Sequence, residues 1–173
     1  MSIRAVRARA LNLPMERPME MAAGTMTTSP VVLVDVTTDQ GITGHSYARC
    51  YTSLALGPLR NLIASLGEQL TGSSERPEEA QTAMRGHFRL LGPQGLTGMA
   101  MAAIDMALWD AAAKAAGLPL FRFLGGTAKA IPAYASLRSM STSAQNPTAF
   151  WAYPPSNSCG CDSDAVRVSH RRQ

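Results

Sequence analysis

Few side chains in this chain have the types and spacing that catalysis or metal binding requires. The lone C-x-C of Cys159 and Cys161 has no second pair at zinc-site spacing, so we expect two unpaired thiols. We expect His45 to be a hydrogen-bonded structural residue in a strand, and His87 to lie on a helix without a partner at metal-ligand spacing. His170 stands among arginines and is expected to be solvated. With no Ser-His-Asp set, Gly-rich phosphate loop or H-E-x-x-H pattern, we predict no catalytic and no metal-binding residues.

Composition and charge restrict the class of protein. The 173 residues, 46% hydrophobic and 16% charged, suffice for one domain with a core and at most the start of another. The net charge of +4 comes from arginine clusters without interleaved aromatic residues, which argues against a nucleic-acid partner. The longest apolar region is broken by Gly98 and Asp105, so we expect no membrane span. The three cysteines, scarce and odd in number, indicate a cytoplasmic protein.

Three segments have the side-chain pattern of β-strands. Apolar residues and arginines alternate over 6–10, VVLVDVTT at 31–38 is a β-branched run, and ITGHSYARCY at 42–51 follows a DQG turn. The tight connection between the second and third strands predicts a three-stranded antiparallel meander. The Pro- and Met-rich stretch from Pro14 to Pro30 is predicted to be a protruding loop between the first two strands.

Three helices are predicted after the strands. The first has an apolar stripe and ends at Gly72. Its stripe consists of Leu59, Leu62, Ile63, Leu66 and Leu70. The second has Ser74 as its N-cap, Pro77 in its first turn, and a buried stripe of its own. That stripe consists of Ala80, Met84 and Phe88. The third begins near Met99, and strands followed by a helical bundle predict an α+β fold.

The third helix is apolar around most of its circumference. Its apolar residues are, on one face, Ile104, Ala107, Leu108 and Ala111 and, elsewhere, Met106, Trp109 and Ala113. Because one neighbour cannot cover such a helix, we expect it to have packing partners on two sides.

Three segments together have a specific pattern: GITGHSYARCYT, GMAMAAIDMALWDAAAKAAGLPLFRFLGG and IPAYAS. They resemble the amino-terminal half of the mandelate racemase and muconate lactonizing enzyme family of the enolase superfamily, and most of all its mandelate racemase members. The resemblance runs from about Ile3 to Ser136, and its most specific part is A-x-A-A-I-D-x-A-L-W-D-x-x-x-K-x-x-x-x-P-L, from Ala100 to Leu120. Phe123 stands where the family usually has leucine.

The resemblance implies an enolase-like N-terminal capping domain that closes over a (β/α)8 barrel. We expect the capping domain at 1–128, a remnant of the first barrel strand at 129–137, and an irregular tail at 138–173. The last capping helix would then lie between its own sheet and the barrel. The tail has no helical or strand period, and we interpret it as the product of a disrupted reading frame or, alternatively, as a natural disordered tail.

The resemblance also implies a chemistry. Members of this family abstract the proton α to a carboxylate, and Mg²⁺ holds the resulting enediolate. In these proteins the barrel strands supply the lysine of a K-x-K motif, three carboxylate ligands, and a histidine paired with an aspartate. We therefore expect no Mg²⁺ on this chain, and we expect Asp105 and Asp110 to be helix-end, turn or interdomain partners. Lys114 is expected to be an ion-pairing surface lysine.

On this basis we expect a truncated mandelate racemase-like protein that is inactive alone. The full-length family includes isomerases that racemise 2-hydroxy acids and lyases that dehydrate acid sugars, and their partners are small carboxylate substrates. The alternative is a non-catalytic interaction or self-association module, which would form a homo-oligomer through its exposed barrel-facing surface.

Four residues are expected near a substrate because of the resemblance. Met19 and Met26, in the long loop, and Tyr51 would close over the distal part of the substrate and form an apolar wall. Ser136, at the end of the first barrel strand, corresponds to a position near the substrate carboxylate. The alternatives remain open: the methionines are adaptable fillers that could simply pack the loop, and Tyr51 could be a strand-end tyrosine with its hydroxyl in water.

Overall fold

A computed structural model of the chain describes residues 2–21 and 24–130. Every helix and strand given below belongs to one compact unit, Met1–Gly126. Ser136, the tail at 138–173 and most of the predicted barrel strand at 129–137 lie outside the described residues.

The sheet is the predicted three-stranded antiparallel meander. It consists of β1 (Ile3–Met21), β2 (Gly24–Thr38) and β3 (Thr43–Arg49), in the spatial order β1-β2-β3. Gly41, with a φ of +80°, occupies the tight turn between β2 and β3, where a side chain would be strained. Alternate residues of β2 point into the core, and three of them are fully buried: Val32, Val34 and Val36.

The prediction of a protruding loop from Pro14 to Pro30 is wrong. Strands β1 and β2 continue beyond β3 as a two-stranded ribbon, and Met19 pairs with Met26 near its end. The prolines and methionines of this stretch suggested a loop. Strand β1 is an edge strand, however, where a proline without a backbone N–H need not remove a hydrogen bond between strands. The register shifts between Pro14 and Met19, so the proline lies beside an irregularity that tolerates it.

The first two helices follow the predicted apolar spacing. Helix α1 (Leu56–Leu70) comes after a short 3-10 turn at Ser53–Ala55, and Gly72 lies just beyond its end with a φ of +84°. Four residues of its predicted stripe are buried, namely Leu59, Ile63, Leu66 and Leu70, and Leu62 is partly buried. In α2 (Pro77–His87), Ala80 and Met84 are buried, as predicted.

The predicted N-cap of α2 is wrong by two residues. Arg76, not Ser74, is the N-cap, because Pro77 fixes the first helical position and holds the residue before it in an extended conformation. The Ser74 hydroxyl instead accepts a hydrogen bond from the Arg76 backbone N–H at 3.3 Å.

Helix α3 (Gly95–Ala115) begins one turn earlier than predicted, and a short α4 (Leu120–Phe123) follows it. Glycines at the start of α3 suggested a break. Gly98 nevertheless lies in the first turns of the helix. This position requires glycine because a Cβ there would overlap the Pro93 carbonyl oxygen. The Thr97 hydroxyl donates to the carbonyl oxygens of Gly92 and Gln94, at 2.8 and 2.7 Å, and closes this N-terminal turn.

The core lies between one face of the sheet and the helices. Helix α3 packs directly on β3 at Gly44, where a Cβ would overlap the Ala107 carbonyl oxygen and lie 2.6 Å from the Ala111 nitrogen. Helix α1 packs on β1 at Gly67, where a Cβ would lie 2.5 Å from the Cβ of Val6. The predicted inner face of α3 is buried, with Ile104, Ala107 and Leu108 fully enclosed.

Candidate functional site

The end of the β1-β2 ribbon brings the two predicted methionines together. Met19 and Met26 are directly opposed across the strands, so their side chains are neighbours on one face. Met26 is 9% exposed and Met19 is 41% exposed. Met26 therefore anchors the pair, while Met19 presents an adaptable apolar surface to the outside.

Arg49, the last residue of β3, connects the methionines to Tyr51. Its Nη2 donates to the Met26 sulfur at 3.4 Å, and its Cζ lies 5.6 Å from the centroid of the Tyr51 ring, within cation-π range. Tyr51 is 72% exposed. We call Met19, Met26, Arg49 and Tyr51 the ribbon-end cluster.

Two backbone features place this cluster. The Cys50 N–H donates to the Pro30 carbonyl oxygen at 2.8 Å, which holds the end of β3 against β2 just before the ribbon continues alone. Thr52 is the N-cap of the 3-10 turn at Ser53–Ala55, and its hydroxyl accepts a hydrogen bond from the Leu54 N–H at 3.3 Å. Burial raises the pKa of the Cys50 thiol, so we assign it a packing role in this junction.

Sequence reasoning missed Arg49. The available signal was its position two residues before Tyr51, because alternate residues of an extended segment point to the same side. Its guanidinium is weakly satisfied: a thioether is a poor acceptor, and the buried Nε has no hydrogen-bond partner within the described part of the chain. Leaving a buried donor unpaired costs about 1–3 kcal/mol.

Asp110, one of the two carboxylates of α3, has structural contacts. Asp110 accepts hydrogen bonds from the His45 backbone N–H and from Lys114 Nζ, both at 2.7 Å, and Lys114 also donates to the Thr43 carbonyl oxygen at 3.0 Å. Partial burial acts to raise the pKa of Asp110, but the bonds from Lys114 and His45 outweigh it and lower the pKa. The predicted ion pair of Lys114 is confirmed.

His45 is a structural residue, as predicted. Its Nδ1 lies 2.8 Å from Asp35 Oδ1, and Arg9 Nη2 donates to the other oxygen of Asp35 at 3.0 Å. The three side chains link all three strands on the exposed side of the sheet.

The described residues do not fit a magnesium site. Among residues 2–21 and 24–130, no three His, Cys, Asp or Glu side chains are grouped so that they could share a metal ion. We therefore assign Mg²⁺ to none of these residues and derive no step through it. Within the same part of the chain, every helix is too short or too polar to cross a lipid bilayer.

A second surface is apolar and lies around the C-terminal half of α3. Trp109 contacts Phe123 edge to face, with ring centroids 6.1 Å apart. Exposed apolar residues surround this pair in the sequence: Met106, Leu118, Leu120, Phe121 and Leu124. We call the last four the 118–124 surface.

A meander, three packed helices and an exposed ribbon end define an enolase-type N-terminal capping domain. Residues 3–125 match the family described as mandelate racemase / muconate lactonizing enzyme, N-terminal domain, and the chain belongs to that family. The resemblance stated from the sequence is confirmed.

Solved structures give the same fold. An enolase from Bradyrhizobium, crystallised with magnesium and mandelic acid, is 51% identical with a TM-score of 0.72 over 77% of this chain and 37% of that chain. An enolase from alpha pretobacterium bal199 with bound magnesium is 32% identical, with a TM-score of 0.73 over the same shares.

Among curated proteins, the D-mannonate dehydratase of Novosphingobium aromaticivorans is 37% identical over 100 residues, which are 57% of this chain and 24% of that protein. The chain thus spans between about a quarter and two fifths of the length of these relatives.

Proposed function

We propose that this domain caps the substrate pocket of an enzyme that removes the proton α to the carboxylate of a small 2-hydroxy acid or acid sugar. Family membership supports the proposal, as do the mandelic acid bound by the Bradyrhizobium relative and the dehydratase activity in the name of the Novosphingobium relative. The observation that carries it is the ribbon-end cluster, which joins the predicted Met19, Met26 and Tyr51 on one exposed edge.

The division of labour follows from the chemistry. A proton α to a carboxylate is weakly acidic, so its removal needs strong electrostatic stabilisation of the developing oxyanion, which magnesium supplies in such a site. We assign the acids, bases and metal ligands to a barrel and not to residues 2–130. The cap contributes an apolar wall that excludes water and selects substrates by shape.

The cap also accounts for the apolar circumference of α3. Its inner face packs on β3, and we propose that its other side, with Trp109, Phe123 and the 118–124 surface, packs on the barrel. Phe121 in α4 is 44% exposed and Leu124, just after α4, is 58% exposed. A partner surface would explain why these exposed side chains are apolar, which supports the proposal.

A domain exchange tests the capping role. Residues 3–125 replace the corresponding part of the Bradyrhizobium relative, and the affinity of the exchanged protein for mandelic acid is measured by calorimetry with saturating Mg²⁺. We expect binding, and we expect Tyr51→Ala and Met19→Ala each to weaken it about tenfold, because each removes apolar wall area worth roughly 1.4 kcal/mol.

Tyr47→Ala is the matched control. Tyr47 lies on β3 and is 64% exposed, close to the exposure of Tyr51, but it is not part of the ribbon-end cluster. We expect the control to bind mandelic acid like the unmodified exchange protein. Equal effects of Tyr47→Ala and Tyr51→Ala, or an exchanged protein that folds and binds no acid, would refute the capping role.

A second function is favoured by the 118–124 surface alone. A chain that exposes Leu118, Leu120, Phe121 and Leu124 together could use them to bind a second copy of itself. In sedimentation experiments this candidate predicts a mass that rises above 18.4 kDa with concentration. Leu124→Glu should restore the monomer, whereas Leu90→Glu, at another exposed leucine, should not. A monomer at every concentration rules this candidate out.

A further inference from the structure

We propose that Arg49 makes the cap select substrates that carry a second carboxylate, distal to the one beside the reacting carbon. The inference rests on the proposed capping function and names the substrate class of the same pocket. It predicts that a hydroxy dicarboxylate is preferred over an acid whose distal part is a hydrocarbon ring.

The first support is the position of the guanidinium. Arg49 contacts Met26 and Tyr51, the two side chains on either side of it in the ribbon-end cluster. It is half-buried, so apolar neighbours shield its charge and a ligand carboxylate would be attracted more strongly than in bulk water. A group that approaches the wall formed by Met19 and Tyr51 therefore meets a positive charge as well as apolar surface.

The second support is the set of donors that Arg49 leaves unused. A guanidinium has five N–H donors, and among the side chains that the structure describes the guanidinium of Arg49 has one hydrogen bond, to the sulfur of Met26. Among the side chains that the structure describes, no carboxylate lies within 4.0 Å of it, although Arg9 and Arg76 each have such a partner. Within the described side chains, the charge thus lies beside a weak acceptor and has no anionic partner of the kind that buried arginines usually have.

The third support is orientation. The guanidinium carbon lies over the Tyr51 ring, 5.6 Å from its centroid, and Tyr51 accepts no conventional hydrogen bond from it among the described contacts. The strong hydrogen-bonding directions of a guanidinium lie in its plane, where two parallel N–H groups match the two oxygens of a carboxylate. The contact with Tyr51 therefore occupies none of the hydrogen-bonding directions through a conventional acceptor, and a ligand carboxylate could use them.

A titration of the 173-residue chain tests the inference directly. NMR signals of the Arg49 Nε–H and of the Tyr51 ring are followed while D-glucarate, a hydroxy dicarboxylate, or chloride is added at constant ionic strength. We expect saturable shifts of both signals with D-glucarate and none with chloride, because a carboxylate matches two parallel N–H groups of Arg49. Preference for D-glucarate over mandelate is expected only in the domain-exchange protein, where the carboxylate beside the reacting carbon is bound elsewhere.

Two variants make the titration specific. Arg49→Gln should abolish the response of the Tyr51 ring to D-glucarate. Arg60→Gln should preserve it, because Arg60 is exposed on α1 and its side chain donates to its neighbour Asn61, outside the ribbon-end cluster. Equal responses to D-glucarate and chloride, or a response that survives Arg49→Gln, would overturn the inference.

The domain-exchange protein separates failure of this inference from failure of the capping role. There we expect Arg49→Gln to weaken D-glucarate binding about tenfold and to change mandelic acid binding less than about twofold. If the exchanged protein binds both acids and Arg49→Gln changes neither, the inference is wrong and the capping role stands. If it binds neither acid, the capping role fails, and the titration of the chain still decides whether Arg49 recognises a dicarboxylate.

Discussion

Asp105 and Asp110 show how two identical side chains on one helix acquire opposite properties. Burial, and then the nearby charge of Glu78, raise the pKa of Asp105. For Asp110 the hydrogen bonds from Lys114 and from the His45 N–H outweigh burial, and its pKa is lowered. Asp110 therefore stabilises the contact between β3 and α3 as an anion, whereas the charge of Asp105 opposes folding.

Asp105→Asn is expected to stabilise the protein at neutral pH, because the amide has no charge to desolvate and none to repel Glu78. Since the pKa of Asp105 is higher folded than unfolded, the penalty is absent below the unfolded pKa of about 3.9. It accumulates as the pH rises through the folded pKa and is complete above it. In urea unfolding, the variant should have a higher free energy of unfolding than the natural chain at about pH 7. At about pH 3 the two free energies should be equal.

Glu68→Gln is the control for this comparison. Glu68 is exposed on α1, so removal of its charge should change the free energy of unfolding by less than about 0.5 kcal/mol at either pH. A variant Asp105→Asn that is less stable than the natural chain at about pH 7 would show that its carboxylate has a stabilising partner.

The candidate site could be predicted only in part. Met19, Met26 and Tyr51 were named because the sequence resembles a family, not because their chemistry is distinctive. Arg49 was missed because its contact with Met26 joins residues 23 positions apart, and that proximity depends on how β2 and β3 pair. The contact between Arg49 and Met26 has no local signal in the sequence, unlike the two-residue spacing between Arg49 and Tyr51.

Helices and strands were predictable where their periodicity was strong. The stripe of α1 and the β-branched run of β2 each bury one side of an element, and burial fixes both the period and the register. The ribbon from 14 to 30 lacks a continuous core beneath it, so its sequence is less constrained and looked like a loop. Its pairing comes from backbone hydrogen bonds along an edge strand, which composition does not reveal.

Gly44→Ala is expected to destabilise the protein by about 2 kcal/mol or more, because the added methyl group overlaps the backbone of α3 at Ala107 and Ala111. The helix would have to move away from β3 and weaken the contacts of Asp110 and Ser46, whose hydroxyl donates to the Ala103 carbonyl oxygen at 2.5 Å. Thermal and urea unfolding measure the loss.

Gly86→Ala is the matched substitution at an open position. A Cβ at Gly86, in α2, meets no atom within 4 Å, so the change should be neutral or stabilise by up to about 1 kcal/mol through helix propensity. Equal stabilities of the two variants would mean that α3 does not approach β3 as closely as Gly44 indicates.

The assignment to a family rests on the match of residues 3–125 and on the agreement of the fold with solved relatives, and the motif from Ala100 to Leu120 is the part that the sequence alone made recognisable. Most of that motif lies in α3, the helix that contacts β2, β3 and α1 and so organises the domain. The sequence of α3 shows that a second side of the helix is apolar. It does not show which surface packs on that side, because the partner is a different segment of structure. Packing of this side on a barrel stays a proposal.

The division between a cap and a catalytic barrel is tested most directly by proton exchange. The purified 173-residue chain is incubated with mandelic acid and Mg²⁺ in D₂O, and loss of the α-proton NMR signal is followed. If residues 2–130 only cover a substrate, the signal should decay no faster than in protein-free buffer with Mg²⁺. Exchange that is faster than in that buffer and increases in proportion to the protein concentration would contradict the assignment of the chemistry to a barrel.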